Sequence, residues 1–401
     1  MKVIGNELHT ENLIVVFHRT FRLPEDGKTY PLPRSVGRFP LKRIDDYKDK
    51  VPPSWVEKGG VFLPLHQREA MWIQFGLRTH APCAVKVGVG KIDAITGEPW
   101  KDGLSEDKQD YLVAPPQKWI DGIKSEEGKV SQFVAMPLGM GYTVEGQVTG
   151  EEKHGGLQLA VYPGKREHFP KPKKRRGTRS RGVAKGGFAT AGGASGQSLG
   201  WDGDDGFESY SGEVKTSGGH TLESAVLCST APAGAPEGVA KGFMRHAIKP
   251  TVIRRHAKRS FQENAPKAAL MGMGAGGSMR QQVYPDPHGV HVWDQDCKQR
   301  VFVHLVNAEM YQQITGEAPP PSPIGKDEYF AAGIPWFDLY DKDLGDVEAS
   351  ETLGKVKTIS EMDKDKGLEG QQDDSSAPVE EVVSCGTPKV VDTETVRDGS
   401  W

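Results

Sequence analysis

Ala84-Val85-Lys86-Val87-Gly88-Val89 alternates residue by residue, so an extended chain carries three valines on one face and lysine and glycine on the other. Leu157-Gln158-Leu159-Ala160-Val161-Tyr162 repeats the pattern. Tyr142-Thr143-Val144-Glu145-Gly146-Gln147-Val148 reads the same way, with Gly150 to Gly156 as the turn that joins it to the next strand. Such segments recur from Leu13 to Pro163 between glycines and prolines. One stretch has helical composition: Gln67 to Gly76, where Arg68, Glu69, Ala70 and Met71 precede Trp72, Ile73 and Phe75. The block therefore predicts a mainly β (α+β) scaffold, sandwich or barrel-like, with a few short helices.

Working outward, residues 1–164 form this β-rich block and 239–345 a second, α+β block. In the second, Arg300-Val301-Phe302-Val303-His304-Leu305-Val306 reads as a buried strand. Asn307 caps a helix through Ile314 that Gly316 closes, and Lys326 to Ala332 reads as another short helix. One strong strand makes a thin independent domain, so the alternative is that this block completes the sheet of the first. Residues 165–238 are rich in glycine and poor in large aliphatics, which predicts a disordered basic insertion or linker. Residues 346–401 read as an acidic, mostly disordered tail, with an amphipathic helix from Ser350 to Lys366.

The formal net charge of −3 conceals strong segregation. Lys165 to Lys185 holds ten Lys or Arg against one acid, Glu167, whereas Asp341 to Trp401 holds sixteen acids and seven Lys or Arg. Lys171, Lys173, Lys174, Arg175, Arg176, Arg179 and Arg181 are the candidate anion-binding residues, because clustered cations neutralise phosphates whatever the base sequence. The partner expected from them is nucleic acid or an acidic protein. Lys173 to Arg176 would also serve as a nuclear import signal in a eukaryote. A second basic patch, Lys241 to Arg259, has seven Lys or Arg and no acid.

Four cysteines without CxxC spacing argue against a zinc ribbon or a disulfide scaffold, and the early apolar run Leu13 to Phe17 is too short for a signal peptide or membrane span. An intracellular chain with no membrane segment is the expectation. Gly272-Met273-Gly274-Ala275-Gly276-Gly277 matches GxGxxG, but Pro285 and Pro287 leave little room for the helix that dinucleotide binding requires, so close backbone packing is the better reading.

Two other functions compete with binding of an anion. His288, His291, Asp294 and Asp296 form the densest set of metal donors and could hold a divalent cation for a metal-assisted hydrolase; a turn rich in Pro, Asp, His and Gly is the structural reading. No other cofactor is implied. Cys297, His304 and Asp294 can be written as a nucleophilic triad, but an extended strand holds Cys297 and His304 far apart. Trp55, Trp72, Trp100, Trp119, Trp293 and Trp336 would suit a carbohydrate-binding β-sandwich if they shared a groove, and core packing otherwise.

The segments Leu65 to Trp72, Phe133 to Gly139 and Gly333 to Asp338 resemble parts of a microbial protein family without an established activity. The resemblance covers both patterned blocks and implies one shared architecture for them. It transfers no catalytic residue and no cofactor. The leading reading is a non-enzymatic binding or assembly protein that engages an anionic partner.

Overall fold

Alternation sets the long strands of the computed structural model, which describes residues 1–171, 270–321, 323, 336, 337, 341, 343–368 and 395–401. The long strands are β1 (Leu13–Thr20), β2 (Val61–Leu65), β3 (Ala70–Leu77), β4 (Cys83–Val89), β5 (Gly122–Glu126), β6 (Lys129–Pro137), β7 (Leu157–Pro163), β8 (Leu270–Arg280) and β9 (Gln299–Asn307). With shorter strands they form one 17-stranded, mostly antiparallel sheet; Leu32–Pro33 and Trp336–Phe337 pair separately. The protein is mainly β with a few short helices, as the alternation predicts.

Antiparallel neighbours follow the order β1, β3, β6, β8, β9, β7, β4. β8 and β9, which follow the basic run in sequence, thus sit between β6 and β7, which precede it. β2 adds to β9 in parallel, with Val61 opposite Val303. Register sorts the side chains. Val85, Val87 and Val89 lie opposite Val161, Leu159 and Leu157, and Leu159 and Leu157 lie opposite Val301 and Val303; all are buried in the main core. Each such side chain contributes about 1.5–3 kcal/mol by burial. The other face carries the rows Lys86, Ala160, Arg300 and Gly88, Gln158, Phe302.

Two local readings fail for identifiable reasons. Gln67 to Gly76 is not a helix: Ala70 onward is β3, because Met71, Ile73 and Phe75 also alternate into the core opposite Arg19, Phe17 and Val15 of β1, and this pairing overrides helix propensity. Conversely, Tyr142 to Val148 is not a strand but contains helix α2 (Val144–Thr149). Thr143 Oγ1 accepts from Gly146 N at 3.0 Å and Gly150, at φ 79°, closes the last turn, so the caps outweigh the alternation. Upstream lies helix α1 (Pro53–Lys58), and downstream α3 (Ala308–Thr315), capped by Asn307 and Gly316 as its sequence dictates.

Gly272 to Gly277 lies inside β8 along β6, where a Cβ on Gly274 would come within 2.9 Å of Tyr142 O and one on Gly276 within 2.5 Å of Val134. Those glycines admit neighbouring backbone and side chains, not a pyrophosphate. The acidic tail is partly built in. Asp346 binds Lys124 and accepts from Val283 N at 2.8 Å, and Leu353 and Ile359 are buried on two short helices, α4 (Glu351–Gly354) and α5 (Ile359–Asp365), where one amphipathic helix was expected. The helix expected at 326–332, the basic residues from Lys173 onward and the Lys241 to Arg259 patch lie outside the described residues. No described helix is long and apolar enough to cross a membrane.

Candidate anion-binding site

Three turns converge on the outer face of β9, and each carries a basic residue next to glycine. The first is the end of α1, Lys58-Gly59-Gly60, in which Gly59 N donates to Trp55 O at 2.8 Å. Gly60 has φ 86°, and a Cβ there would overlap Phe302 O, so only glycine lets this turn press against β9. The second is the hairpin loop Gly90-Lys91, which joins β4 to a short strand with Val89 opposite Ile92. Both loop residues have positive φ, 57° and 63°, the conformation of a tight two-residue hairpin; for Lys91 this is a sparsely populated, costly state. Lys91 N is held by Gln158 Oε1 at 2.5 Å.

The third turn is His154-Gly155-Gly156, organised by the buried Glu145 of α2. Its carboxylate accepts from Lys153 N at 2.9 Å, His154 N at 2.8 Å and Gly155 N at 2.8 Å. Gly90 N donates to Gly156 O at 3.1 Å and so ties the second turn to the third. Beneath them lies Phe302, with Lys58 Nζ 4.6 Å from its ring centre. Phe302 stacks on His304, and His304 on Trp55, with centroids 4.5 and 4.4 Å apart.

Burial, reinforced by the charge of Lys91, lowers the pKa of the Lys58 amine against the opposing pull of Glu145 and Glu57. Burial and then Arg300 lower that of Lys91. Burial followed by the charges of Lys58, Lys91 and Lys153 brings His154 down to about 4, so its ring is neutral near pH 7. All three side chains are half-buried. Among the described residues, no hydrogen bond or ion pair engages Lys58 Nζ, Lys91 Nζ or the His154 ring. Two ammonium groups, one of them over the Phe302 ring, and a neighbouring imidazole can bind a phosphate or carboxylate, which would supply the hydrogen-bond acceptors that the described residues do not.

The residues singled out from sequence fall elsewhere. His288 packs edge-on against Phe169 and Trp293, and His291 against His168. Asp294 Oδ1 accepts from Asp296 N at 3.2 Å and Cys297 N at 3.0 Å, while Asp286 accepts from Tyr111 Oη and Trp293 Nε1 at 2.7 and 2.8 Å. These donors build the turn, and no group of three or more His, Cys, Asp or Glu among the described residues could hold a metal ion. His304 is buried on Gly59 O at 2.9 Å while Cys297 turns to Asp294, so the written triad does not assemble. Trp55 lies in one core cluster, Trp293 with Trp100 in a second, and Trp119, edge-on to Trp72, with Trp336 in a third, which divides the tryptophans among three packing clusters. Lys171 is exposed, and Lys173, Lys174, Arg175, Arg176, Arg179 and Arg181 lie outside the described residues.

The Lys58, Lys91 and His154 cluster escaped the sequence reading, although each residue adjoins a glycine in a turn: Lys58-Gly59-Gly60, Gly90-Lys91 and His154-Gly155-Gly156. That recurrence was the available signal. No family model, curated protein or solved structure matches the chain.

Proposed function

We propose that the chain is a non-enzymatic binding protein that holds an anionic group, a phosphate or a carboxylate, at the Lys58, Lys91 and His154 turns. The supporting observation is a pair of half-buried ammonium groups, that of Lys58 over the Phe302 ring and that of Lys91 in the neighbouring turn, with no acceptor among the described residues. A desolvated cation without a partner is destabilising, and a bound anion removes that cost. Among the described residues, none of the three basic groups is hydrogen-bonded to a hydroxyl or thiol that it could activate, which favours binding over nucleophilic chemistry. The basic run from Lys171 to Arg181 would add salt-sensitive attraction for the same class of partner.

Titration calorimetry with inorganic phosphate at fixed ionic strength tests the site. Wild-type protein is expected to bind, and the Lys58→Met, Lys91→Met double variant to lose that binding while remaining folded. Equal affinity in the two proteins would remove the proposal.

A further inference from the structure

The same surface already carries a carboxylate from the chain itself. Residues 395–401 lie along the turn that presents Lys58, held by main-chain pairing: Val396 N donates to Met1 O at 2.9 Å, Gly60 N to Arg397 O at 2.9 Å, Gly399 N to Lys58 O at 3.0 Å and Ser400 N to Glu57 O at 3.1 Å. Lys2 bridges to Thr395 and Gly59 to Asp398 in strand fashion. Side chains reinforce the pairing. Val396 is buried, and the Arg397 guanidinium reaches Val56 O and Asp45.

At the far end Asp398 accepts from Arg300 Nε at 3.1 Å and from Trp401 Nε1 at 2.6 Å. The Trp401 ring sits 5.9 Å from Phe302, 5.5 Å from Trp100 and 4.9 Å from the Arg300 guanidinium. Trp401 and the Lys58 amine therefore share the Phe302 ring, and Asp398 neutralises the cation next along that face. This is how an extended peptide adds to a sheet edge: backbone bonds supply affinity, and an acidic and an aromatic side chain supply specificity.

Resting on the binding role proposed above, we infer that Thr395–Trp401 is a displaceable strap, an acidic, aromatic ligand in the same chain whose docking on Phe302 beside Lys58 competes with the external anion at the Lys58, Lys91 and His154 turns. A strap docked about nine-tenths of the time weakens the apparent affinity of the external ligand roughly tenfold.

Phosphate titrations of the wild type, Trp401→Ala and Asp398→Asn read this directly. Both variants are expected to bind phosphate more tightly, Trp401→Ala by roughly tenfold. Adding a synthetic Thr395–Trp401 peptide to Trp401→Ala should reverse the gain. In the wild type, phosphate should raise hydrogen exchange at the amides of Gly60, Gly399 and Ser400, whose bonds hold the strap. Phosphate binding with unchanged exchange and equal affinities in all three proteins would overturn the strap and leave the binding site standing. Phosphate binding by none of the three would overturn both. If Trp401→Ala fails to fold, Asp398→Asn, which keeps the backbone bonds and the indole, decides by the same titration and exchange measurement.

Discussion

Two lysines lie against aromatic rings on the outer face of the sheet, and among the described residues only one of them has acceptors for its protons. Lys86 Nζ, 5.2 Å from the Trp100 ring centre, donates to Lys101 O at 2.9 Å, Gly103 O at 3.0 Å and Asp110 at 2.5 Å, so each of its three protons has an acceptor. Asp110 in turn accepts from Ser105 N at 3.0 Å. Lys58 Nζ, 4.6 Å from Phe302, has none of these partners. The difference separates architecture from function. Lys86 pins the loop after Trp100 onto β4, whereas Lys58 presents donors that the described fold leaves idle.

The sharpest way to break this contrast is to remove a partner of the satisfied lysine. Asp110→Ala leaves the Lys86 ammonium buried with two carbonyls and no counter-charge, and loss of one partner of a buried pair costs about 3–5 kcal/mol. Urea unfolding should show a loss of that order. A loss below about 1 kcal/mol would mean that the pair behaves as an exposed one and that the contrast with Lys58 is empty.

His304 yields the next largest effect because it joins the candidate site to the core. Burial pulls its pKa down to about 3, below the ordinary value of 6.5, and its Nε2 is bonded to Gly59 O. The unfolded chain therefore binds a proton through a range in which the folded chain does not. Stability is full above about pH 6.5 and falls as the pH drops toward 3, by roughly 2–3 kcal/mol at pH 4.5 from this group alone. His154, lowered to about 4, acts in the same direction. His304→Gln keeps a donor for Gly59 O and should flatten this acid slope relative to the wild type, read as unfolding free energy against pH. An identical slope in the two proteins would show that His304 is not held neutral.

The same contrast shows what the chain reveals before folding. Val85, Val87 and Val89 declare a strand because a period of two needs no distant information, and Asn307 with Gly316 declares a helix because its caps are local. Gln67 to Gly76 misleads because two periods coexist there and β1, about fifty residues upstream in sequence, decides between them. The candidate site is harder to read for a similar reason. Lys58, Lys91 and His154 stand in three separate turns, and only the order in which β2, β4, β7 and β9 pair brings those turns to Phe302. His288, His291, Asp294 and Asp296 drew attention because they are adjacent in sequence, yet adjacency in a proline-rich turn is also what its own backbone bonds require.

The smallest expected effect sharpens the contrast most. Lys58→Met keeps most of the side-chain volume over Phe302 and removes a half-buried charge that has no partner in the described fold. A satisfied lysine would be missed; an idle one would not, since replacing a poorly solvated charge by an apolar side chain is neutral or stabilising. The variant should therefore match or exceed the wild type in urea unfolding, within about 1 kcal/mol, and at the same time lose phosphate binding. Lys86→Met in parallel should lose stability by strandng Asp110 and two loop carbonyls, with phosphate binding retained by whatever fraction stays folded. Stability and binding would then separate between two lysines, one in β4 and one at the end of α1, that each lie against an aromatic ring. If Lys58→Met instead unfolds as readily as Lys86→Met, the Lys58 ammonium is part of the scaffold, and the three turns around Phe302 are a packing solution with no ligand to hold.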